Sequence, residues 1–274
     1  MELAPHYLMK RPTLALLVSA LLALTACYTN PVTGRQSLVL VQPSEEIALG
    51  AQSFQQIRSE EKVSTDAAMN ARVRRVGERI AGAVGTQMPN AQWEFVVFDS
   101  KEVNAFALPG GKVGVYTGLL KLATSDDELA IVMGHEIGHV IARHGAERMS
   151  EQMVIQGLGA LGSAYAQSRY SAEAVQMAQM AYGTGATMLR VLPHSRDNES
   201  EADHMGVVFA AEAGYNPEAS IGFWQKMAQQ KTANPSAFEK FLSTHPTDSQ
   251  RIADLQKLMP EVMPIYQQNR GRFQ

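Results

Sequence analysis

The sequence predicts an α+β fold that is mostly helical, with a small sheet or hairpin packed beside one buried helix. The first observation is helical periodicity, because apolar residues recur at threes and fours over segments such as 65–84. The second is a strand pattern over 93–98, followed by a hairpin pattern over 104–117. The third is segment 129–141, which is apolar on most sides, as expected of a helix inside the core.

The N-terminal segment is expected to direct export. Lys10 and Arg11 precede the apolar run 14–26, which suits a signal peptide and falls short of the ~20 residues that span a bilayer. The run ends in Leu24-Thr25-Ala26-Cys27, which resembles the lipobox of bacterial lipoproteins. Residues 1–26 are therefore predicted to be a lipoprotein-type signal peptide, with Cys27 carrying the lipid (palmitate). The alternative is an ordinary signal peptide, with Cys27 as a buried structural residue.

The remaining chain is expected to form one domain behind a short anchor. Residues 27–43 contain the turn-rich motif Asn30-Pro31-Val32-Thr33-Gly34 and are predicted to be a lipid-anchored tether, followed by a domain over 44–274. Tyr28 follows the cysteine, where Asp would by resemblance favour retention in the inner membrane. The expected location is therefore the periplasmic face of the bacterial outer membrane. The formal net charge of −3 and the lack of a Lys/Arg cluster exclude nucleic-acid binding.

The first half of the domain should contain two helices and then the sheet. The first helix is predicted to start near Ser44 as its N-cap, and the second to run from about Thr65 to Val84. A strand over 93–98 follows, and Pro109-Gly110-Gly111 should turn the hairpin.

The second half should be helical. Ser125 or Asp126 can cap a helix that is predicted to run to about Met149. Two uncharged stretches, 153–168 and 174–189, predict two packed helices, and a lid or membrane-leaning role for them stays open. Further helices are expected over 199–264, with breaks at Gly214-Tyr215-Asn216-Pro217 and at His245-Pro246.

The pattern His135-Glu136-x-x-His139 is the strongest chemical signal of the chain. Four residues of helix amount to about 40° of rotation and ~6 Å of rise, so both imidazoles can address one metal ion. Glu136 can reach a water molecule beside such an ion without binding the metal itself. A solvated helix face is the alternative, but the surrounding residues are apolar, and buried histidines need a partner.

A catalytic zinc usually takes three protein ligands, so a third must lie elsewhere in the chain. On a continuous helix His144 would face about 140° away from His139, and we interpret it as a surface or helix-end residue. Glu199 and Asp203 are four residues apart on one predicted helix face. Glu199 is the candidate ligand, Asp203 is expected to hydrogen-bond a ligand histidine, and Glu201 should point away. An acidic surface is the alternative for this segment.

Four motifs together carry a family resemblance. They are His135-Glu136-x-x-His139, Ser195-Arg196-x-x-Glu199-x-x-Ala202-Asp203, the hairpin Asn104-Ala105-Phe106-Ala107-Leu108-Pro109-Gly110-Gly111, and Ser243-Thr244-His245-Pro246 with Arg251. Over roughly residues 27–255 the chain resembles the HtpX and CAAX-prenyl-protease family of zinc metallopeptidases. Its lipobox and N-terminal motif resemble the outer-membrane lipoprotein proteases of LoiP and BepA type. The resemblance implies a gluzincin-type zinc peptidase domain with one Zn²⁺ per chain.

The resemblance also implies roles for single residues. His135, His139 and Glu199 would bind zinc, Glu136 would be the general base, and Asp203 would be a positioning or proton-donating acid. In BepA-like members a histidine of the corresponding loop caps the zinc, so His245 is expected to be a fourth ligand or plug. The alternative for His245 is an ordinary residue in a helix-ending turn.

Peptide-bond hydrolysis is the expected reaction, with Glu136 as the base and zinc as the Lewis acid. The substrate is expected to be an unfolded or misassembled envelope polypeptide, bound as an added strand along the hairpin at Lys112, Val113, Gly114, Val115 and Tyr116. By resemblance, the outer-membrane protein assembly machinery is an expected partner. Two alternatives stay open: a zinc-stabilised, chaperone-like binding module with little proteolysis, and a structural lipoprotein without metal.

Overall fold

The computed structural model describes residues 27–167, 192–239, 241, 245 and 250–272. The predicted signal peptide, the stretch 174–189, and Ser243, Thr244 and Pro246 of the fourth motif lie outside these residues. Helices dominate and two small sheets accompany them, which confirms the α+β, mostly helical fold class. Among the described residues, no helix combines the length and the apolar character needed to span a membrane.

The described residues form the following secondary-structure elements. The strands are β1 (Cys27–Thr29), β2 (Gln36–Leu38), β3 (Glu94–Phe98), β4 (Ala105–Leu108) and β5 (Lys112–Tyr116). The helices are α1 (Pro43–Glu60), α2 (Ala67–Val84), α3 (Thr117–Leu122), α4 (Asp126–Ile141), α5 (His144–Gln167), α6 (Leu192–Glu212), α7 (Ala219–Ala233) and α8 (Arg251–Asn269). Short 3-10 turns lie at Gly85–Gln87 and Pro235–Phe238.

The segment predicted to be a lipid-anchored tether, residues 27–43, is part of the folded domain. β1 and β2 form an antiparallel hairpin, and the Asn30 side chain donates a hydrogen bond to Glu201 at 2.8 Å. Val39 and Val41 are buried, whereas Leu38 and Leu40 between and beside them are exposed. This alternation is that of an extended segment with one face on the core. The tether prediction for residues 27–43 is therefore wrong as a description of their structure.

Helix α4 ends earlier than the sequence predicted. It starts after Ser125, whose side chain accepts a hydrogen bond from the Glu128 amide in a capping box, and it ends at Ile141, not near Met149. Arg143 has a φ of 57°, in the left-handed region that stops a helix. Its guanidinium is held by the Glu46 carboxylate and the Val41 carbonyl. A new helix, α5, then begins at His144.

Two other helix starts can be compared with the sequence predictions. Helix α1 starts at Pro43, one residue before the predicted cap Ser44, and Gln42 at its N-cap makes no side-chain capping bond. Helix α2 starts after Asp66, whose side chain accepts hydrogen bonds from the backbone amides of residues 68 and 69. The predicted break at residues 214–217 is confirmed, because it separates α6 from α7.

The three-stranded sheet has the order β3-β5-β4, with β3 parallel and β4 antiparallel to β5. The predicted hairpin is thereby confirmed. Strand β5 is the central strand, so its backbone groups are used on both sides and cannot bind an added peptide strand. The prediction that Lys112, Val113, Gly114, Val115 and Tyr116 form the substrate edge is therefore wrong. The edge next to α4 is strand β4.

Helix α4 lies at the centre of the molecule, packed against α6, α2 and β4. Two glycines allow α4 and α6 to approach backbone to backbone. A Cβ atom on Gly134 would lie 2.8 Å from the Gly206 carbonyl oxygen, and one on Gly206 would lie 2.8 Å from the His135 amide nitrogen. This crossing brings the predicted acidic ligand segment of α6 to the histidines of α4.

Candidate metal centre

Helix α4 presents three candidate functional side chains from its second half. His135 and Glu136 are buried, and His139 is largely buried. The Nε2 atoms of the two histidines lie 3.1 Å apart, as the four-residue spacing predicted. The helix therefore converges both imidazoles on one point inside the protein.

Helix α6 and the segment before α8 supply the remaining groups of the cluster. Glu199 carboxylate oxygens lie 3.2 Å from Nε2 of His139 and 3.4 Å from Nε2 of His135. Nδ1 of His245 lies 3.0 Å from Glu199 Oε1 and 3.4 Å from His135 Nε2. These four residues form a group that could hold a metal ion, with one ligand atom from each lying within 4.8 Å of the others.

A carboxylate and a guanidinium hold the far side of the His135 ring. Asp203 Oδ1 lies 2.9 Å from Nδ1 of His135. Arg251 donates to Asp203 at 2.6 Å and lies over the Trp224 ring, with its Cζ atom 3.3 Å from the ring centroid. Asp203 therefore sits where the sequence predicted, next to a candidate ligand. The sequence contained Arg251 as part of a motif but gave no reason for a role, because its contacts come from other helices.

His144 and Glu201 lie side by side inside the protein. His144 is buried, with Nδ1 2.7 Å from Nδ1 of His139 and Nε2 2.9 Å from Glu201 Oε2. The left-handed Arg143 turns the chain, so the 140° rotation expected on a continuous helix does not apply. Glu201 does face away from Asp203, but its side chain is covered by His144 of α5 and by residues 30–35. His144 is a helix-end residue, as one of the two interpretations held, because it is the first residue of α5, but it is buried, so the surface interpretation is wrong. Glu201 points away from Asp203 as predicted, and it is paired with His144.

Comparison with known sequences now identifies the family. The sequence model of Peptidase family M48 matches residues 67–259. The chain belongs to Peptidase family M48. It is similar to the mitochondrial metalloendopeptidase OMA1 of Saccharomyces cerevisiae, with 29% identity over 87% of this chain and 71% of the yeast protein.

Two further relatives come from an animal and from a bacterium. The mitochondrial metalloendopeptidase OMA1 of Bos taurus is 32% identical over 86% of this chain and 46% of its own length. The beta-barrel assembly-enhancing protease of Escherichia coli K12 is 28% identical over 89% of this chain and 50% of its own length. The chain thus spans about half the length of these two relatives.

M48 peptidases are zinc-dependent metallopeptidases, so the predicted enzyme class and the Zn²⁺ cofactor are confirmed. The donor atoms fit that ion. Tetrahedral zinc with bonds of ~2.0–2.1 Å places its ligand atoms about 3.3–3.4 Å from one another. Donor atoms of His135 lie 3.1–3.4 Å from those of His139, Glu199 and His245, and those of Glu199 lie 3.2 Å from His139 and 3.0 Å from His245. One ligand atom from each of the four residues lies within 4.8 Å of the others. Imidazole nitrogens with one carboxylate are also the donor types that zinc prefers.

Burial and neighbouring charges set the protonation of this M48 site. Burial raises the pKa of the Glu136 carboxyl, whose Oε1 has no hydrogen-bond partner among the described residues. Burial opposes ionisation of Glu199 too, but hydrogen bonds from the histidines prevail and hold its pKa well below the usual range. Burial disfavours the charged form of His135, yet Asp203 and Glu199 raise its pKa to about 9. A metal ion therefore competes with a proton for His135.

Proposed function

We propose that this M48 peptidase is an endopeptidase that hydrolyses unfolded or misassembled proteins of the bacterial envelope. The observation that carries the proposal is the buried Glu136 carboxylate, whose Oε1 has no hydrogen-bond partner among the described residues, beside a group of four residues that could hold a metal ion. A site that served only to stabilise the fold would have no use for such a base. The ligands are His135, His139 and Glu199, with His245 at the fourth position.

The reaction follows from the chemistry of these side chains. Zinc, when bound, supplies a Lewis acid that polarises a carbonyl and lowers the pKa of water. Glu136 takes a proton from the attacking water as the carbon–oxygen bond forms. It then passes that proton to the nitrogen of the peptide bond, which leaves as an amine. The raised pKa of Glu136 suits both halves of this transfer. Asp203 holds the His135 ring, and Arg251 holds Asp203.

Strand β4 is the surface proposed to receive the substrate. It is an edge of the three-stranded sheet, it packs beside α4, and no described segment adds backbone hydrogen bonds to its outer side. An extended peptide can pair with such an edge through main-chain groups, which bind many sequences. Extended, unpaired chain is what unfolded proteins offer. The edge therefore favours substrates that are not folded.

The location is proposed from the N-terminus and from one relative. Cys27 is exposed at the start of β1, where a lipid would not disturb the core. A lipid there would hold the domain at the periplasmic face of the outer membrane. The relative named beta-barrel assembly-enhancing protease supports the outer-membrane protein assembly machinery as a partner, whereas the OMA1 relatives carry a mitochondrial name. The export signal predicted from the sequence favours the bacterial envelope.

A cleavage assay separates this function from its alternative, a zinc-stabilised, chaperone-like module. A loosely folded protein is incubated with the mature chain, with and without chelator, and wild type is compared with Glu136→Gln. We expect the variant to bind zinc as wild type does and to cleave about 10²- to 10⁴-fold more slowly. Equal cleavage by both proteins contradicts the proposed base. Zinc binding without cleavage by either protein favours the binding module.

A further inference from the structure

His144 and Glu201 form a buried connection between the four-residue metal-binding site and residues 27–43, which are called the N-terminal segment below. We infer that these two residues position the zinc-binding ring of His139, and that the N-terminal segment holds Glu201 in place for this purpose. The inference rests on the proposed function, in which His139 is a zinc ligand.

The distances admit one consistent arrangement of protons. Nε2 of His139 faces the cluster, 3.2 Å from Glu199 Oε1, so Nδ1 is the nitrogen left to carry the proton. That N–H donates to Nδ1 of His144 at 2.7 Å. Nε2–H of His144 then donates to Glu201 at 2.9 Å, and an ionised carboxylate only accepts. Each ring is thus held in one tautomer and one orientation.

Because His144 and Glu201 are buried, water cannot readily take the place of the hydrogen bonds that they make. His144 is 1% exposed and Glu201 is 6% exposed, so water has little access to either side chain. A buried carboxylate is costly unless several donors satisfy it. Glu201 accepts hydrogen bonds from Asn30 at 2.8 Å and from the side chains of Thr33 and Arg35 as well as from His144.

The N-terminal donors are themselves fixed. Arg35 makes two hydrogen bonds of 2.8 Å to the Glu147 carboxylate on α5. The side-chain oxygen Oδ1 of Asn30 accepts a hydrogen bond from the Val32 amide at 2.9 Å, and this bond closes a tight turn. The segment that the sequence presented as a tether therefore fastens α6 to α5 behind the metal cluster.

The two cluster histidines of α4 are supported in parallel ways. His135 contacts its outer carboxylate, Asp203, directly at 2.9 Å. His139 reaches its outer carboxylate through a second imidazole. Such outer hydrogen bonds fix the tautomer and the orientation of a metal-binding histidine, and their loss typically weakens metal affinity by about 10- to 100-fold.

The test measures the dissociation constant for zinc by competition with a chromophoric chelator in the full mature protein. His144→Phe keeps a ring of similar size but loses the acceptor, and we expect affinity to fall by about 10- to 100-fold. His144→Asn retains an acceptor near the position of Nδ1 and should bind more tightly than His144→Phe. The control is His204→Phe on α6, which removes a partly exposed histidine that also lies 2.9 Å from a glutamate. It should bind zinc as wild type does.

Thermal unfolding with and without zinc distinguishes positioning from a general loss of stability. A purely structural defect lowers both midpoints and leaves the zinc-dependent increase unchanged. We expect that increase to shrink in His144→Phe. If this variant does not fold, Glu201→Gln is judged by the same two measurements. If a folded His144→Phe protein, or Glu201→Gln, binds zinc with wild-type affinity, the inference about His144 and Glu201 is wrong, but the proposed zinc ligands are not affected. Wild-type affinity in His139→Ala instead overturns the proposed zinc ligands.

Discussion

At the scale of single residues, the position of His245 bears most on whether water and substrate can reach the metal site. Its Nδ1 lies 3.0 Å from Glu199, and its Nε2 lies 3.6 Å from Glu136 Oε1. The ring stacks on Phe241, with 4.7 Å between the ring centroids. We propose that in this position it occupies the fourth corner of the cluster, beside the proposed base, and blocks the place that water and substrate need.

Removal of this histidine should therefore release activity. We expect His245→Ala to keep its zinc and to cleave a loosely folded protein faster than wild type. If the ring occupies the fourth position about nine-tenths of the time, its removal increases the rate about tenfold. The double variant with Glu136→Gln should be inactive, which assigns the gain to the same site. Unchanged or lower activity in a zinc-loaded His245→Ala contradicts the plug.

At the scale of elements, the crossing of α4 and α6 determines whether the cluster can form. The helix carrying Glu199 must come within reach of His135 and His139, and only glycines at the crossing permit that approach. Backbone atoms of the facing helix lie within 3 Å of the position that an added Cβ would take. Such a contact cannot be relieved by a change of rotamer.

We expect Gly206→Ala to lower the free energy of unfolding by about 1–3 kcal/mol, because the added methyl group forces the helices apart. Zinc affinity should fall with it. The matched control is Gly222→Ala in α7, where nothing lies within 4 Å of the added atom. That change should stabilise the protein by about 0.5–1 kcal/mol. Urea unfolding and chelator competition measure both effects, and a Gly206→Ala protein as stable as wild type contradicts the close crossing.

At the scale of the whole molecule, ion pairs at the start of α4 tie it to the helices around it. Arg72 and Arg75 of α2 pair with Asp126, and Lys226 of α7 lies 2.6 Å from Glu128. Burial opposes ionisation of Glu128, but the hydrogen bond and charge of Lys226 and the backbone amides of Thr124 and Ser125 lower its pKa below 4.5. Glu128 therefore stabilises the fold most above pH 4.5, and this contribution is lost as the pH falls further.

The pH dependence of Glu128→Gln tests this account. We expect the variant to be about 1–2 kcal/mol less stable than wild type at neutral pH, because it loses a charged hydrogen bond and weakens the cap. The difference should shrink as the pH falls below 4.5. Exposed Glu78→Gln is the control and should change stability by less than about 0.5 kcal/mol. If the difference in unfolding free energy between wild type and Glu128→Gln stays constant down to low pH, the negative charge of Glu128 is not the source of that difference.

Local patterns were sufficient for much of the fold and of the site. The period of apolar residues predicted the helices, and Pro109-Gly110-Gly111 predicted the hairpin, because these signals act between neighbours in the chain. The spacing of His135 and His139 placed two imidazoles together for the same reason. Glu199 could be proposed because zinc needs a third ligand, and the structure brings it to the two histidines.

By itself, the sequence determined the mostly helical fold class, the pair of histidines on one helix and the zinc chemistry that they imply. Only the tertiary structure decided that residues 27–43 pack onto the domain, that β5 is central, and that His144 and Glu201 stand behind His139. The physical reason is distance along the chain. The Arg143 side chain donates a hydrogen bond to Glu46, which is 97 residues away in the sequence. The Asn30 side chain donates one to Glu201, which is 171 residues away. No local pattern of residues encodes such contacts, which arise when helices and strands pack together.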